Sequence, residues 1–173
     1  MTGNVEKIND IYIKYKGAIY SYLYYQTGNS AIAEELCHEV FLKAFKALAS
    51  FQGKASIKTW LHSIAHNTYV TWYKREIKYE MVPLDNKEVN LLRSYDYQPE
   101  AAIEKLESNN EIIKVLNSLK EEHRNVLILS ELQELSYEEI ANTLNWTLSK
   151  VKSTLYRARI QFKLNYQKAG DKS

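Results

Sequence analysis

The chain has 173 residues and a formal net charge of +2, which allows one large or two small domains with a real core. Its 5 Gly and 2 Pro, with Leu, Ile, Ala, Glu and Lys abundant, argue against a turn-rich sheet protein, and its single cysteine, Cys37, excludes an internal disulfide framework. No apolar run approaches the roughly 20 residues that cross a bilayer, and the polar start MTGNVEKIND lacks a signal-peptide core, so a cytoplasmic protein without membrane insertion is expected.

Charge is unevenly spread. Residues 1–80 carry ten Lys and Arg against seven Asp and Glu, a net of +3, and residues 146–173 carry seven against one, a net of +6. Between them, 81–104 has a net of −3 and 105–145 a net of −4. Basic ends attract a polyanion, whereas the acidic middle suits a basic protein surface. Fourteen Tyr, whose rings fill a core while their hydroxyls reach water or phosphate, fit small helical domains that bind something polar.

In chain order, Ile8, Ile11, Tyr12, Tyr15, Ile19, Tyr22 and Leu23 form a stripe of helical period from about Val5 to Thr27, with Gly28 as the stop. Asn29 or Ser30 can cap a second helix that runs to Leu48 and buries Ala33, Leu36, Val40, Ala44 and Leu48, with Glu34, Glu35, Glu39, Lys43 and Lys46 on its other face. A Gly-containing loop, Phe51 to Ser56, interrupts the period. The third helix, Ile57 to about Lys78, places Trp60, Leu61, Ile64, Ala65, Thr68 and Trp72 inward and Lys58, His62, Asn67, Tyr69, Tyr73, Lys74 and Arg75 elsewhere. Aromatic rings interleaved with cations suit single-stranded nucleic acid, because splayed bases stack on rings while cations follow phosphates.

Periodicity then lapses through MVPLDNKEVNLLRSYDYQP, which holds both prolines, and residues 81–104 are expected to be a linker. Such a linker reaches at most about 80 Å and as a free coil averages about 27 Å. Helices are expected from Glu100 to Leu119, with a polar interruption at Ser108-Asn109-Asn110, and from Glu121 to Leu132.

The last stretch is the most informative. Ser136 and Glu139 form a capping box, so a helix begins at Tyr137 and uses Ile140, Ala141 and Leu144 as its apolar face. Asn145-Trp146-Thr147 is a tight turn, after which Val151, Leu155, Ala158 and Phe162 resume helical spacing. This is a helix-turn-helix pattern, with Lys150, Lys152, Ser153, Tyr156, Arg157 and Arg159 off the apolar stripe and free to enter a DNA major groove. The plainer alternative is a helical hairpin with a solvated basic face.

Catalytic patterns do not emerge: the chain has no Walker loop, GxGxxG, GxSxG or HExxH. His62 and His66 stand four apart, as metal ligands can, but with no third ligand at evident spacing the expectation is no metal, no cofactor and no enzyme activity. His66 is expected to pack on the second helix and Cys37 to be a small buried hydrophobe.

Taken in order, AEELCHEVFLKAFKAL at 33–48, FQGKASIKTWLHSIAHN at 51–67, QPEAAIEKLE at 98–107 and LSYEEIANTLNWTLSKVKSTLYRAR at 135–159 resemble bacterial RNA polymerase sigma factors of the extracytoplasmic-function group, over about Asp10 to Phe162. The resemblance implies an all-α protein of two small helical domains: sigma region 2 over 1–80, and a sigma region 4 helix-turn-helix over 105–173. It implies that Glu35, Leu36, Glu39 and Lys43 dock on the clamp helices of the polymerase largest subunit, with the flap of the second-largest subunit as a further contact. Phe51, Lys54, Ser56, Lys58 and Asn67 would surround an extruded base of the -10 promoter element, and Tyr73, Lys74 and Arg75 would follow the backbone. Lys152, Ser153, Tyr156 and Arg157 would meet the -35 element, with Lys150 and Arg159 on phosphates. An anti-sigma factor is an implied partner, and an autonomous helix-turn-helix regulator is the alternative reading.

The chain departs from the family pattern in four places. Asn145 stands where Gly is usual, Leu148-Ser149-Lys150 replaces V-G-T, Thr154 replaces a common Arg, and Cys37-His38 replaces V-Q. Promoter preference therefore does not transfer from other members.

Overall fold

The computed structural model describes residues 2–80 and 103–172, so nearly all of the expected 81–104 linker, and the start of the helix expected from Glu100, lie outside the described residues. The chain divides into two compact units, one within 1–95 and the other within 96–173. Both are helical, with no strand among the described residues.

The first unit packs three helices, each against the other two: α1 (Thr2–Thr27), α2 (Ser30–Ala47) and α3 (Ile57–Glu80). Gly28 at φ 67 reverses the chain after α1, a backbone conformation that costs glycine little. Asn29 then caps α2, its side-chain oxygen accepting the Ile32 N–H at 3.1 Å. Together they make a two-residue hairpin that lays α2 back along α1. The core joins Ile19, Tyr22 and Leu23 of α1 to Ala33, Leu36, Val40 and Phe41 of α2 and Leu61, Ala65 and Tyr69 of α3. Each large side chain removed from water contributes roughly 1.5–3 kcal/mol.

Three expectations need correction here. His62 and Tyr69 are fully buried, while Trp60 and Ile64 are half-exposed, so the inner face of α3 is rotated from the one its apolar residues suggest. The reason is that α3 meets two helices, and His62 can be buried because its ring Nδ1 donates to the Lys58 carbonyl at 2.7 Å. His66 packs on α1 rather than α2: its Nδ1 lies 3.2 Å from the Tyr22 hydroxyl. That hydroxyl also accepts from Gln26 Nε2 at 3.2 Å, which leaves its proton for His66. Leu48, expected in the core of the second helix, is half-exposed in a short 3-10 turn, Leu48–Ser50, that ends it.

The second unit is built around its last helix. α4 (Ile103–Asn117), α5 (Glu121–Leu127) and α6 (Tyr137–Leu144) all contact α7 (Leu148–Gly170), whose Val151, Thr154, Leu155 and Ala158 are buried. α4 runs unbroken through Ser108-Asn109-Asn110, so the polar residues there do not interrupt it. The helix expected over Glu121 to Leu132 instead widens at Ile128 into a π-helical turn, Ile128–Leu132. The chain leaves that turn through Glu134 at φ 55, with the Gln133 N–H on the Ile128 carbonyl and the Leu135 N–H on the Leu129 carbonyl, each at 3.0 Å.

Candidate nucleic-acid interface

The α6–α7 corner is fixed by side chains at every join. Ser136 Oγ accepts the Glu139 N–H at 3.2 Å while the Glu139 carboxylate accepts the Ser136 N–H at 2.7 Å, a complete capping box. Asn145 takes φ 56, the left-handed conformation that Asn tolerates better than most residues, and the Trp146 N–H closes the turn on the Ala141 carbonyl at 2.9 Å. Thr147 caps α7 by accepting the Lys150 N–H at 3.1 Å. These joins set the start and rotation of α7.

With its apolar stripe buried, α7 turns Lys152, Ser153, Tyr156 and Arg157 outward, and Tyr156 is 69% exposed. Two further expected contacts are already occupied within the unit. Lys150 Nζ lies 2.9 Å from Glu122 Oε1 and 4.0 Å from the centre of the Trp146 ring, and Arg159 holds Glu131 Oε1 through Nε at 2.8 Å and a terminal nitrogen at 2.6 Å. His123, near Lys120 and Arg157, has its pKa lowered first by burial and then by those two cations.

In the first unit the residues expected around an extruded base lie on a loop and a helix. Phe51 sets its ring 4.8 Å from that of Trp60, tilted by 41°, and Gly53 at φ 70 turns the loop. Ser56 is committed to capping α3: its hydroxyl accepts the Thr59 N–H at 3.1 Å and donates to Thr59 Oγ1 at 3.0 Å. A spacing of seven puts Trp60, Asn67 and Lys74 on one side of α3, about 10 Å apart in turn. Asn67, Lys74 and Arg75 are exposed, as is Lys54, and Lys58 is half-buried. Tyr73 stacks on buried Tyr69 at 5.8 Å.

On α2, Glu35 is exposed and Glu39 pairs with Lys43 at 2.8 Å. The Lys43 amine also donates to Thr68 Oγ1 at 3.2 Å, tying α2 to α3. Leu36 is 2% exposed. It belongs to the core and is not available as a polymerase contact, because its position on the buried stripe of α2 turns it toward α1 and α3. Leu42, which sequence reasoning passed over, is 60% exposed beside an open groove of about 490 Å³ lined by Ile8, Tyr12, His38, Phe41 and Phe45. An apolar residue in the middle of a charged face was its signal.

His62 and His66 do not gather further ligands: among the described residues no group of three His, Cys, Asp or Glu could hold a metal. Burial lowers the His66 pKa to about 4 and pushes the Cys37 thiol up to about 11, so near neutral pH the first is an uncharged ring and the second an uncharged thiol.

Residues 11–78 match the Sigma-70 region 2 family and residues 109–162 match Sigma-70, region 4. The RNA polymerase sigma factor YlaC of Bacillus subtilis is 43% identical over 95% of this chain and 94% of its own length. The chain belongs to the sigma-70 family, in its extracytoplasmic-function group. A second relative of the sigma factor, the ECF RNA polymerase sigma factor SigX of the same organism, is 28% identical over 85% of this chain and 77% of its own. The fold is also that of the sigma factor RpoE solved with the anti-sigma factor NepR from Bartonella quintana, with a TM-score of 0.74 at 20% identity over 94% of this chain and 98% of that one. As a sigma factor, the protein is the promoter-specificity subunit that directs bacterial RNA polymerase to -10 and -35 elements. No helix among the described residues is long and apolar enough to cross a membrane.

Proposed function

We propose that this sigma factor divides its work among three surfaces and carries no chemistry of its own. Region 2, over residues 1–80, docks through Glu35, Glu39 and Leu42 on the clamp helices of the polymerase largest subunit. A basic partner with apolar side chains fits that acidic face and its groove. Lys43 ties the docking helix to α3 through Thr68 rather than reaching the partner. The Phe51–Trp60 platform, with Lys54, Lys58, Asn67, Tyr73, Lys74 and Arg75, takes a strand of the -10 element, bases on rings and phosphates on cations.

Region 4, over residues 105–173, lays α7 in the major groove of the -35 element, with Lys152, Ser153, Tyr156 and Arg157 toward base edges. It also meets the polymerase flap. The segment 81–104 joins the two, its net negative charge suited to a basic channel of polymerase. The protein works in the cytoplasm under an anti-sigma factor, a reading supported by the RpoE–NepR complex, in which a sigma factor of this fold is held by such a partner.

The observation that carries the proposal is the exposure of Lys152, Ser153, Tyr156 and Arg157 on a helix whose other side is the core of region 4. The docking assignment is tested by Glu35→Lys with Glu39→Lys in a core-polymerase binding assay. Juxtaposed like charges cost on the order of several kcal/mol, so affinity should fall at least about tenfold with helicity unchanged. Wild-type affinity would remove α2 from the interface.

A further inference from the structure

At 100° per residue, Lys150 and Arg159 fall on opposite edges of the exposed face of α7, each about 90° from the centre of its buried stripe. Both edges are clipped to the same supporting segment. Glu122 of α5 takes Lys150, and Glu131 of the π-turn takes Arg159 with the Tyr137 side chain beside the guanidinium. Each pair spans 28 residues of sequence, and within each partner the two positions are nine residues apart, so the pairs run in step along the α5–α7 contact. Lys150 is further held over Trp146. Of the cations near the reading face, these two are neutralised inside the protein, while Lys152 and Arg157 stand between them.

Phosphate contacts orient a protein on DNA but carry no sequence information, and every cation placed on a phosphate strengthens binding to all sequences through counterion release. Edge cations of a recognition helix are the ones best placed to reach the two phosphate backbones that wall a major groove. We propose that Glu122 and Glu131 restrain nonspecific DNA binding by keeping Lys150 and Arg159 off the phosphates, so that α7 meets duplex through its central residues. The inference rests on the reading of α7 as the -35 helix and adds two acidic residues to it. It assigns Lys150 and Arg159 a role other than the phosphate contact expected of them.

The test is binding of the full-length chain to a fluorescent random-sequence duplex across a series of salt concentrations. Glu122→Gln with Glu131→Gln should bind more tightly and steepen the plot of log K against log salt by about 1.8, roughly 0.9 for each released cation. Glu122→Asp with Glu131→Asp, which keeps both charges in place, should return the slope toward wild type. A misfolded double variant would lose helical circular dichroism, and in that case the Asp pair decides: a slope steeper than wild type with both charges retained would overturn the proposal. Equal slopes for wild type and the Gln pair would overturn it, as would a wild-type slope flattened by Lys150→Gln with Arg159→Gln. Failure of the underlying reading looks different: Lys152→Gln with Arg157→Gln would leave the slope unchanged, removing α7 from DNA altogether.

Discussion

The surface we propose for the -35 element lies on one helix of region 4, whereas the one we propose for the -10 element joins a loop of region 2 to a helix that is itself held by two others. On α7, the residues from Lys152 to Arg157 keep their relation through the helix repeat alone, and the caps at Ser136 and Thr147 and the turn at Asn145 fix where that repeat begins. In region 2, Phe51 meets Trp60 across the loop, and α3 is seated on α1 through His66 and Tyr22 and on α2 through Thr68 and Lys43. One surface depends on local geometry and the other on tertiary packing. Perturbing the packing should therefore disturb -10 recognition first.

Acid is the strongest such perturbation. Folded His66 has a pKa of about 4 against an ordinary 6.5, so between these values the unfolded chain binds a proton that the folded chain refuses. Stability is then independent of this group above about pH 6.5 and falls as pH drops toward 4, by up to about 3 kcal/mol. His123 in region 4 is lowered by the same cause but is far less enclosed, so its contribution is smaller. Residue-resolved NMR denaturation should show region 2 losing stability toward pH 4 more steeply than region 4. His66→Gln, which keeps an acceptor for Tyr22, should flatten the region 2 slope. Equal slopes in the two regions, or an unchanged slope in the variant, would break the contrast.

On the other side of the comparison, Arg157→Ala should act without unfolding anything, because the side chain is exposed and the stripe beneath it is intact. If Arg157 reads a base edge, initiation from -35-dependent promoters should weaken by about 1–3 kcal/mol, and preference at one position of the element should relax. Transcription from a promoter library would show both. A uniform loss with unchanged preference would make Arg157 a phosphate contact instead.

What could be read in the sequence follows the same division. The capping box, the turn at Asn145 and the outward set on α7 depend on residues within four or five positions of each other, and short-range spacing encodes them directly. The His66–Tyr22 contact spans 44 positions and the Lys150–Glu122 and Arg159–Glu131 pairs span 28, and no periodicity in either partner's helix points to the other. The inner face of α3 was misplaced for a related reason. Burying a histidine is favourable mainly when something answers its nitrogens, and for His62 a carbonyl in its own helix does so. Leu36 shows the limit of carrying a role over by resemblance: it is next to Glu35 on α2, but it is buried where Glu35 is exposed.

Two turns in region 4 offer the finest test of local against tertiary control. Asn145 and Glu134 both sit near φ 55, at 56 and 55, but only one has a side chain suited to it. Left-handed backbone costs most residues roughly 1–2 kcal/mol and Asn less, so Glu134 is held there by what surrounds it, namely the hydrogen bonds from Gln133 and Leu135 back into the π-turn and the burial of Leu135. Glu134→Asn should then stabilise region 4 by about 0.5–1 kcal/mol, readable as a higher urea midpoint with the same slope. Asn145→Glu should cost a similar amount and leave α7 in place, because Thr147 still caps it. If Glu134→Asn were instead destabilising, the Glu134 side chain would be making a contact that outweighs its backbone strain, and the turn after the π-helix would depend on packing in the way region 2 does.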